Sequence, residues 1–150
     1  MANVICVKTP ATTANMGPGF DCLGMALDIW NTVSLTEGDG SVRISGKGSE
    51  ELPRDKNNLV YKSFERFFNE TDLPIPPVNL ECHNEIPLAR GMGSSSAALL
   101  GGLLAANNYS DDILTREEVL KIAAEMEGHI DNVAAAINGG MQIGIYNGQD

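Results

Sequence analysis

The chain has 150 residues, 43% of them hydrophobic, and a formal charge of -10, a length and composition that suit one folded domain burying roughly 70% of its unfolded surface. The charge opposes binding to nucleic acid or to a membrane surface, both of which need a basic patch, and no apolar run approaches the roughly 20 residues of a membrane span. No signal peptide opens the chain, and Cys6, Cys22 and Cys82, odd in number and widely spaced, read as reduced thiols of a cytoplasmic protein rather than as a metal knuckle.

Val4 to Lys8 alternates as a first strand, which Pro10 is expected to end. The run from Ala11 to Leu27 then reads as a loop around Gly17-Pro18-Gly19, carrying Asn15 and Asp21 as side chains able to hold an ammonium or a hydroxyl. Asp28 to Thr36 and Ser41 to Ser45 read as two strands of a hairpin about Glu37-Gly38-Asp39-Gly40. Gly46 to Lys56 is polar and turn-rich. Leu59, Val60, Phe64, Phe67 and Phe68 keep helical spacing behind Asn57 and Asn58, either of which can cap, and the aromatics are core residues. Pro74, Pro76 and Pro77 break that helix before an extended run, Val78 to Asn84.

Next comes Pro87-Leu88-Ala89-Arg90-Gly91-Met92-Gly93-Ser94-Ser95-Ser96-Ala97-Ala98, a tight loop feeding an apolar helix from Ala97 to Asn107. Glycine permits turns closed to other residues and lets a ligand approach the amides. The first helical amides have no partner within the helix and carry about half a positive charge, an arrangement suited to phosphate. No lysine follows Gly93, so this is not a Walker A loop, and Ser96 stands where a dinucleotide fingerprint needs glycine. The same serines would also serve as ordinary helix caps.

Thr115 and Glu118 form a capping-box pattern for a helix to about Glu127, stopped by Gly128. Glu125, Glu127, His129 and Asp131 crowd that helix end, where acids face the negative end of the dipole and a cation would relieve them. Asp131 can cap a short helix from Val133 to Ile137, and Gly139-Gly140 leads to a last strand, Met141 to Tyr146, with an unpaired edge that favours association as a homodimer.

The loop from Pro87 to Ala98 resembles the ATP-binding signature of the GHMP kinases. Pro10-Ala11-Thr12-Thr13-Ala14-Asn15-Met16-Gly17-Pro18-Gly19-Phe20-Asp21-Cys22-Leu23-Gly24-Met25-Ala26-Leu27 resembles the first motif of that superfamily in its homoserine kinase branch. The segment Glu127-Gly128-His129-Ile130-Asp131-Asn132-Val133-Ala134-Ala135-Ala136 is similar to the same branch, with Ile130 and Ala135 departing from prolines more usual there. The resemblance covers residues 3 to 146 in one order.

It implies an α+β fold like ribosomal protein S5 domain 2, with a mixed sheet, helices and a left-handed βαβ unit. The implied activity is transfer of the ATP γ-phosphoryl group to the hydroxyl of L-homoserine, with Mg²⁺. By that resemblance Pro87, Leu88, Ala89, Arg90, Gly91, Met92, Gly93, Ser94, Ser95, Ser96 and Ala97 wrap the phosphates, and Asn57, Asn58 and Leu59 lie near the adenine. Asn15 and Asp21 hold the amino-acid end of homoserine, and His129 helps fix it. Asn132 takes the place of an aspartate used elsewhere in the superfamily, and Ser95 with either Glu125 or Glu127 holds the metal.

Members of this superfamily run to about twice this length, with a second domain, whereas residues 1–150 match the N-terminal, ATP-binding domain and stop at Asn147-Gly148-Gln149-Asp150, so a C-terminal domain is expected to be absent. The competing class is a truncated, catalytically silent nucleotide-binding or assembly module. A serine hydrolase built on Ser94, His129 and Asp131 ranks below both, because the loop lacks G-x-S-x-G. Mevalonate-type and shikimate-type acceptors are the other kinase substrates to test.

Overall fold

A computed structural model describes residues 4–145. Five strands form one mixed sheet in the order β1-β2-β4-β3, with β5 paired to β2. They are β1 (Ile5–Ala14), β2 (Leu23–Glu37), β3 (Val42–Gly46), β4 (Val78–Asn84) and β5 (Met141–Ile143). Four helices, α1 (Leu59–Glu70), α2 (Ser94–Tyr109), α3 (Arg116–Glu127) and α4 (Asp131–Asn138), supply the rest.

Strand β1 does not stop at Pro10. It continues to Ala14, antiparallel to β2, through an irregularity between Pro10 and Ala11 where the partner jumps from Trp30 to Leu27. A proline has no amide to donate, and a bulge on an outer strand is where that loss is tolerated. The expected loop from Ala11 to Leu27 therefore shrinks to the segment between Ala14 and Leu23.

The expected hairpin is also absent. Strands β2 and β3 are not neighbours, because β4 lies between them, antiparallel to β2 and parallel to β3. Leu80 faces Leu35 on one side and Val42 on the other, and Cys82 likewise faces Val33 and Ile44, so the apolar positions of three strands line up on one face. The segment after β2 is tied to β4 instead, with Asn79 Oδ1 accepting from the Asp39 and Ser41 amides at 3.0 and 3.2 Å. The parallel pair β3 and β4, joined through α1, is the βαβ unit of the fold.

Helix α1 is amphipathic and packs on α2, burying Phe64, Phe67 and Phe68 in the main hydrophobic core. Asn58, not Asn57, caps it, accepting from the Val60 amide at 2.9 Å. Helix α2 carries no charged residue and is buried nearly all round, as a central helix must be. A Cβ on Gly102 would overlap Ser63 Oγ and the Val60 carbonyl, so glycine lets α1 and α2 approach closely. Strand β5 is shorter than expected, and Tyr146 lies outside the described residues. Among the described residues no helix is long and apolar enough to cross a membrane.

Candidate active site

The loop between β4 and α2 alternates its backbone sign. Ala89, Gly91 and Gly93 have φ of 52, 67 and 64°, while Arg90 and Met92 are not among the positive-φ residues. Such alternation turns neighbouring amides toward one side and makes a concave anion seat. Ala89 pays a steric cost that glycine would not, which marks the loop as constrained.

Helix α2 begins at Ser94, three residues before the expected Ala97, and its N-cap is Gly93 with no side-chain cap. The serines are not caps. Ser96 Oγ, in a residue 1% exposed, donates to Glu127 Oε1 at 3.1 Å, and Ser95 Oγ approaches Glu127 Oε2 at 3.4 Å. Among the described residues, the amides of Ser94, Ser95 and Ser96 make no hydrogen bond, so the donors at this helix start are uncommitted.

The start of α4 closes on the same place. Asp131, 2% exposed, accepts from the Asn132 amide at 2.8 Å and lies 2.8 Å from His129 Nδ1. It stands inside the first turn of α4, with Ile130 as N-cap, so its carboxylate orients His129 and Asn132 rather than capping from outside. His129 Nε2 lies 4.0 Å from Glu127 Oε1. Buried Thr12 donates its hydroxyl to Asn132 Oδ1 at 2.7 Å, and its amide donates to the Met92 carbonyl at 3.1 Å. A Cβ on Gly93, at φ 64°, would overlap Thr12 Oγ1, so that close contact admits only glycine.

Glu125 is elsewhere. It pairs with Arg66 at 3.1 Å, bridging α3 to α1, and of the two candidate acids only Glu127 meets the loop serines. Asn15 and Asp21, both with positive φ, form a turn of their own in which the Asp21 amide donates to Asn15 Oδ1 at 2.9 Å. No side-chain hydrogen bond among the described residues ties this turn to His129. Its flanking strands place it nearby all the same, since Thr12 of β1 holds Asn132 and Gly24 of β2 lies against the Asp131 carbonyl.

Beside the loop is a cavity of about 320 Å³, lined by Asn57, Asn58 and Leu59 together with Leu88, Ala89, Ser94 and Ser95. Size and apolar lining suit a small-molecule site. Asn58 has both polar side-chain ends committed, Oδ1 to Val60 and Nδ2 to the Pro53 carbonyl, while Asn57 is exposed and bonds to Asp55. Cys82 also lines the cavity; burial pushes its thiol up to about 11, so it stays neutral near pH 7. Thr12 beside the loop, and Asn31 and Asn84 in the cavity lining, are polar residues that sequence reasoning did not single out. A buried polar residue in register with Val33 and Leu35 was the available signal for Asn31.

Residues 58–140 match the family described as GHMP kinases N terminal domain. The chain is 48% identical to a homoserine kinase of a Synechocystis species, over 95% of this chain and 48% of that protein. It is 47% identical to a homoserine kinase of Caldanaerobacter subterraneus, over 96% of this chain and 47% of the relative. The crystal structure of homoserine kinase from Cytophaga hutchinsonii superposes with a TM-score of 0.81 at 33% identity, covering 94% of this chain and 48% of the other. The chain thus spans about half the length of the curated relatives it matches. With the loop, the sheet order and the family match in agreement, the chain belongs to the GHMP kinases, as an N-terminal domain of that family.

Proposed function

We propose that this chain forms the ATP-binding domain of a kinase that phosphorylates the hydroxyl of L-homoserine. The observation that carries the reading is the meeting of Ser95, Ser96 and Glu127 at an uncapped helix start, beside a cavity of about 320 Å³. The relatives named homoserine kinase, matched over 95 and 96% of this chain, support the choice of acceptor.

In this reading the base lies in the cavity with Asn57, Asn58 and Leu59, and the phosphates lie along the loop from Pro87 to Ala97. Phosphoryl transfer through a loose transition state asks mainly for positioning and for donors where charge develops. The amides of Ser94, Ser95 and Ser96 supply such donors, and the Asn132 carboxamide, held by Thr12, lies beside Gly93 at the helix start. Asp21 offsets the acceptor's ammonium, Asn15 shapes the turn that presents it, and His129, oriented by Asp131, fixes the acceptor.

Among the described residues no cluster of three or more His, Cys, Asp or Glu side chains forms a metal cage. One carboxylate with hydroxyl neighbours is nonetheless the sparse oxygen set that Mg²⁺ accepts when phosphates complete its shell. Glu127, with Ser95 and Ser96, fits that role, and Glu125, engaged by Arg66, does not. Bound there, Mg²⁺ would neutralise charge on the phosphate oxygens.

Titration calorimetry with a non-hydrolysable ATP analogue, with and without Mg²⁺, followed by a turnover panel of homoserine, mevalonate and shikimate, tests the reading. Mg²⁺-dependent nucleotide binding and a preference for homoserine are expected. Failure to bind nucleotide would overturn it, and binding without turnover of any acceptor would favour the silent binding module instead.

A further inference from the structure

Asn31 stands in the middle of β2, 4% exposed, at a position whose neighbours on the same face are Val33 and Leu35. Its Oδ1 accepts from two consecutive backbone amides, Glu85 at 2.9 Å and Ile86 at 3.0 Å, just before the phosphate loop. Two donors converging on one atom settle which end of the carboxamide is oxygen. The NH₂ end is left over. Among the described residues no acceptor takes it, it is not one of the fully enclosed orphan atoms, and Asn31 is one of the residues that line the cavity.

The walls of that cavity are largely apolar, including Leu52, Val60, Leu88 and Ala98. Donors in such a place cost stability unless something brings them an acceptor. Asn84 lines the same cavity in a complementary state. Its Nδ2 donates to the Lys47 carbonyl at 3.2 Å, while its Oδ1 has no donor among the described residues. A free donor and a free acceptor thus flank one largely apolar space.

We propose that Asn31 is a specificity-determining residue of this site: its NH₂ donates to a ring nitrogen of the adenine, and Asn84 Oδ1 accepts from the exocyclic amine next to it. The inference rests on the nucleotide reading above and adds how the base is chosen. The backbone clamp uses only Oδ1, so an aspartate at position 31 would keep the clamp and replace the donor with an acceptor.

Binding of ATP, 1-deaza-ATP and 7-deaza-ATP to the wild-type chain and to Asn31→Asp, measured by calorimetry, tests this. Wild type should bind one deaza analogue about tenfold more weakly than ATP, the loss of one hydrogen bond in a dry site. Asn31→Asp should bind ATP about tenfold more weakly and no longer distinguish it from that analogue. The wild-type series needs no variant, so a folding defect in Asn31→Asp leaves the proposal exposed to refutation. An equal loss for all three nucleotides, the mark of added negative charge near the phosphates, would overturn it, as would wild-type affinities that ignore both ring nitrogens. If wild type bound no nucleotide at all, the reading of the site would itself fail and take this inference with it.

Discussion

Helices α3 and α2 begin in opposite ways. At α3 the Thr115 amide donates to Glu118 Oε2 at 2.7 Å and the Glu118 amide donates back to Thr115 Oγ1 at 3.3 Å, so two otherwise orphaned donors are satisfied by the helix itself. At α2 the cap is a left-handed glycine, and the hydroxyls of Ser95 and Ser96 turn to Glu127, leaving the first amides open. Hydroxyl residues stand at both helix starts, yet only one is sealed. What differs is the carboxylate's origin: Glu118 is three residues along the same helix, whereas Glu127 arrives from another one. A helix start that satisfies its own donors is structure; one whose hydroxyls are drawn aside keeps its dipole and amides for an anion.

The sharpest way to break this contrast is Gly93→Ala. A Cβ there meets Thr12 Oγ1 at a positive φ, and a loss of about 2–3 kcal/mol of stability is expected in urea unfolding, together with loss of nucleotide binding. A variant that folds and binds as wild type does would show that the open helix start is not built around this glycine.

Glu127→Gln comes next. Affinity for the Mg²⁺ nucleotide should fall about tenfold while metal-free binding changes little. Glu125→Gln should leave both unchanged and lose at most about 1 kcal/mol through its half-exposed pair with Arg66. The reverse pattern in calorimetry would return the metal role to Glu125.

Thr115→Ala sharpens the contrast from the other side. It should cost about 1 kcal/mol in thermal or urea unfolding and leave nucleotide affinity untouched, because the α3 cap holds structure only.

The smallest effect is one of pH. Hydrogen bonds from the Thr115 amide, and then its hydroxyl, hold the Glu118 carboxyl below its usual value. A lowered folded-state pKa means that its contribution is complete above the unfolded value and fades as pH falls through the lowered one. Comparing acid unfolding of wild type and Glu118→Gln should show this small stabilising increment only at the higher pH, and a difference that grows on acidification would contradict the capping box.

Helix α1, strand β4 and the α3 capping box were all legible in the residues, because each depends on partners within a few positions: the spacing of Phe64, Phe67 and Phe68, the alternation of Val78, Leu80 and Cys82, the pair Thr115 and Glu118. The hairpin expectation failed for the complementary reason. Val42 and Ile44 fit beside β4 as well as beside β2, and the choice was made by a strand that enters the chain some forty residues later.

The candidate site divides along the same line. Local chemistry marked the glycine loop, the three serines and the acids around His129, since backbone freedom and helix polarity are properties of short segments. Assigning Glu127 to the loop and Glu125 to Arg66, placing Thr12 against Asn132, and bringing Asn31 into the lining of a cavity each required residues from separate elements to meet. Amino-acid order by itself therefore marked the segments whose chemistry suits an anion and the family to which the chain belongs. The tertiary structure alone decided which side chains meet at that loop, because a side chain's partner is set by the packing of helices against the sheet and not by its distance along the chain.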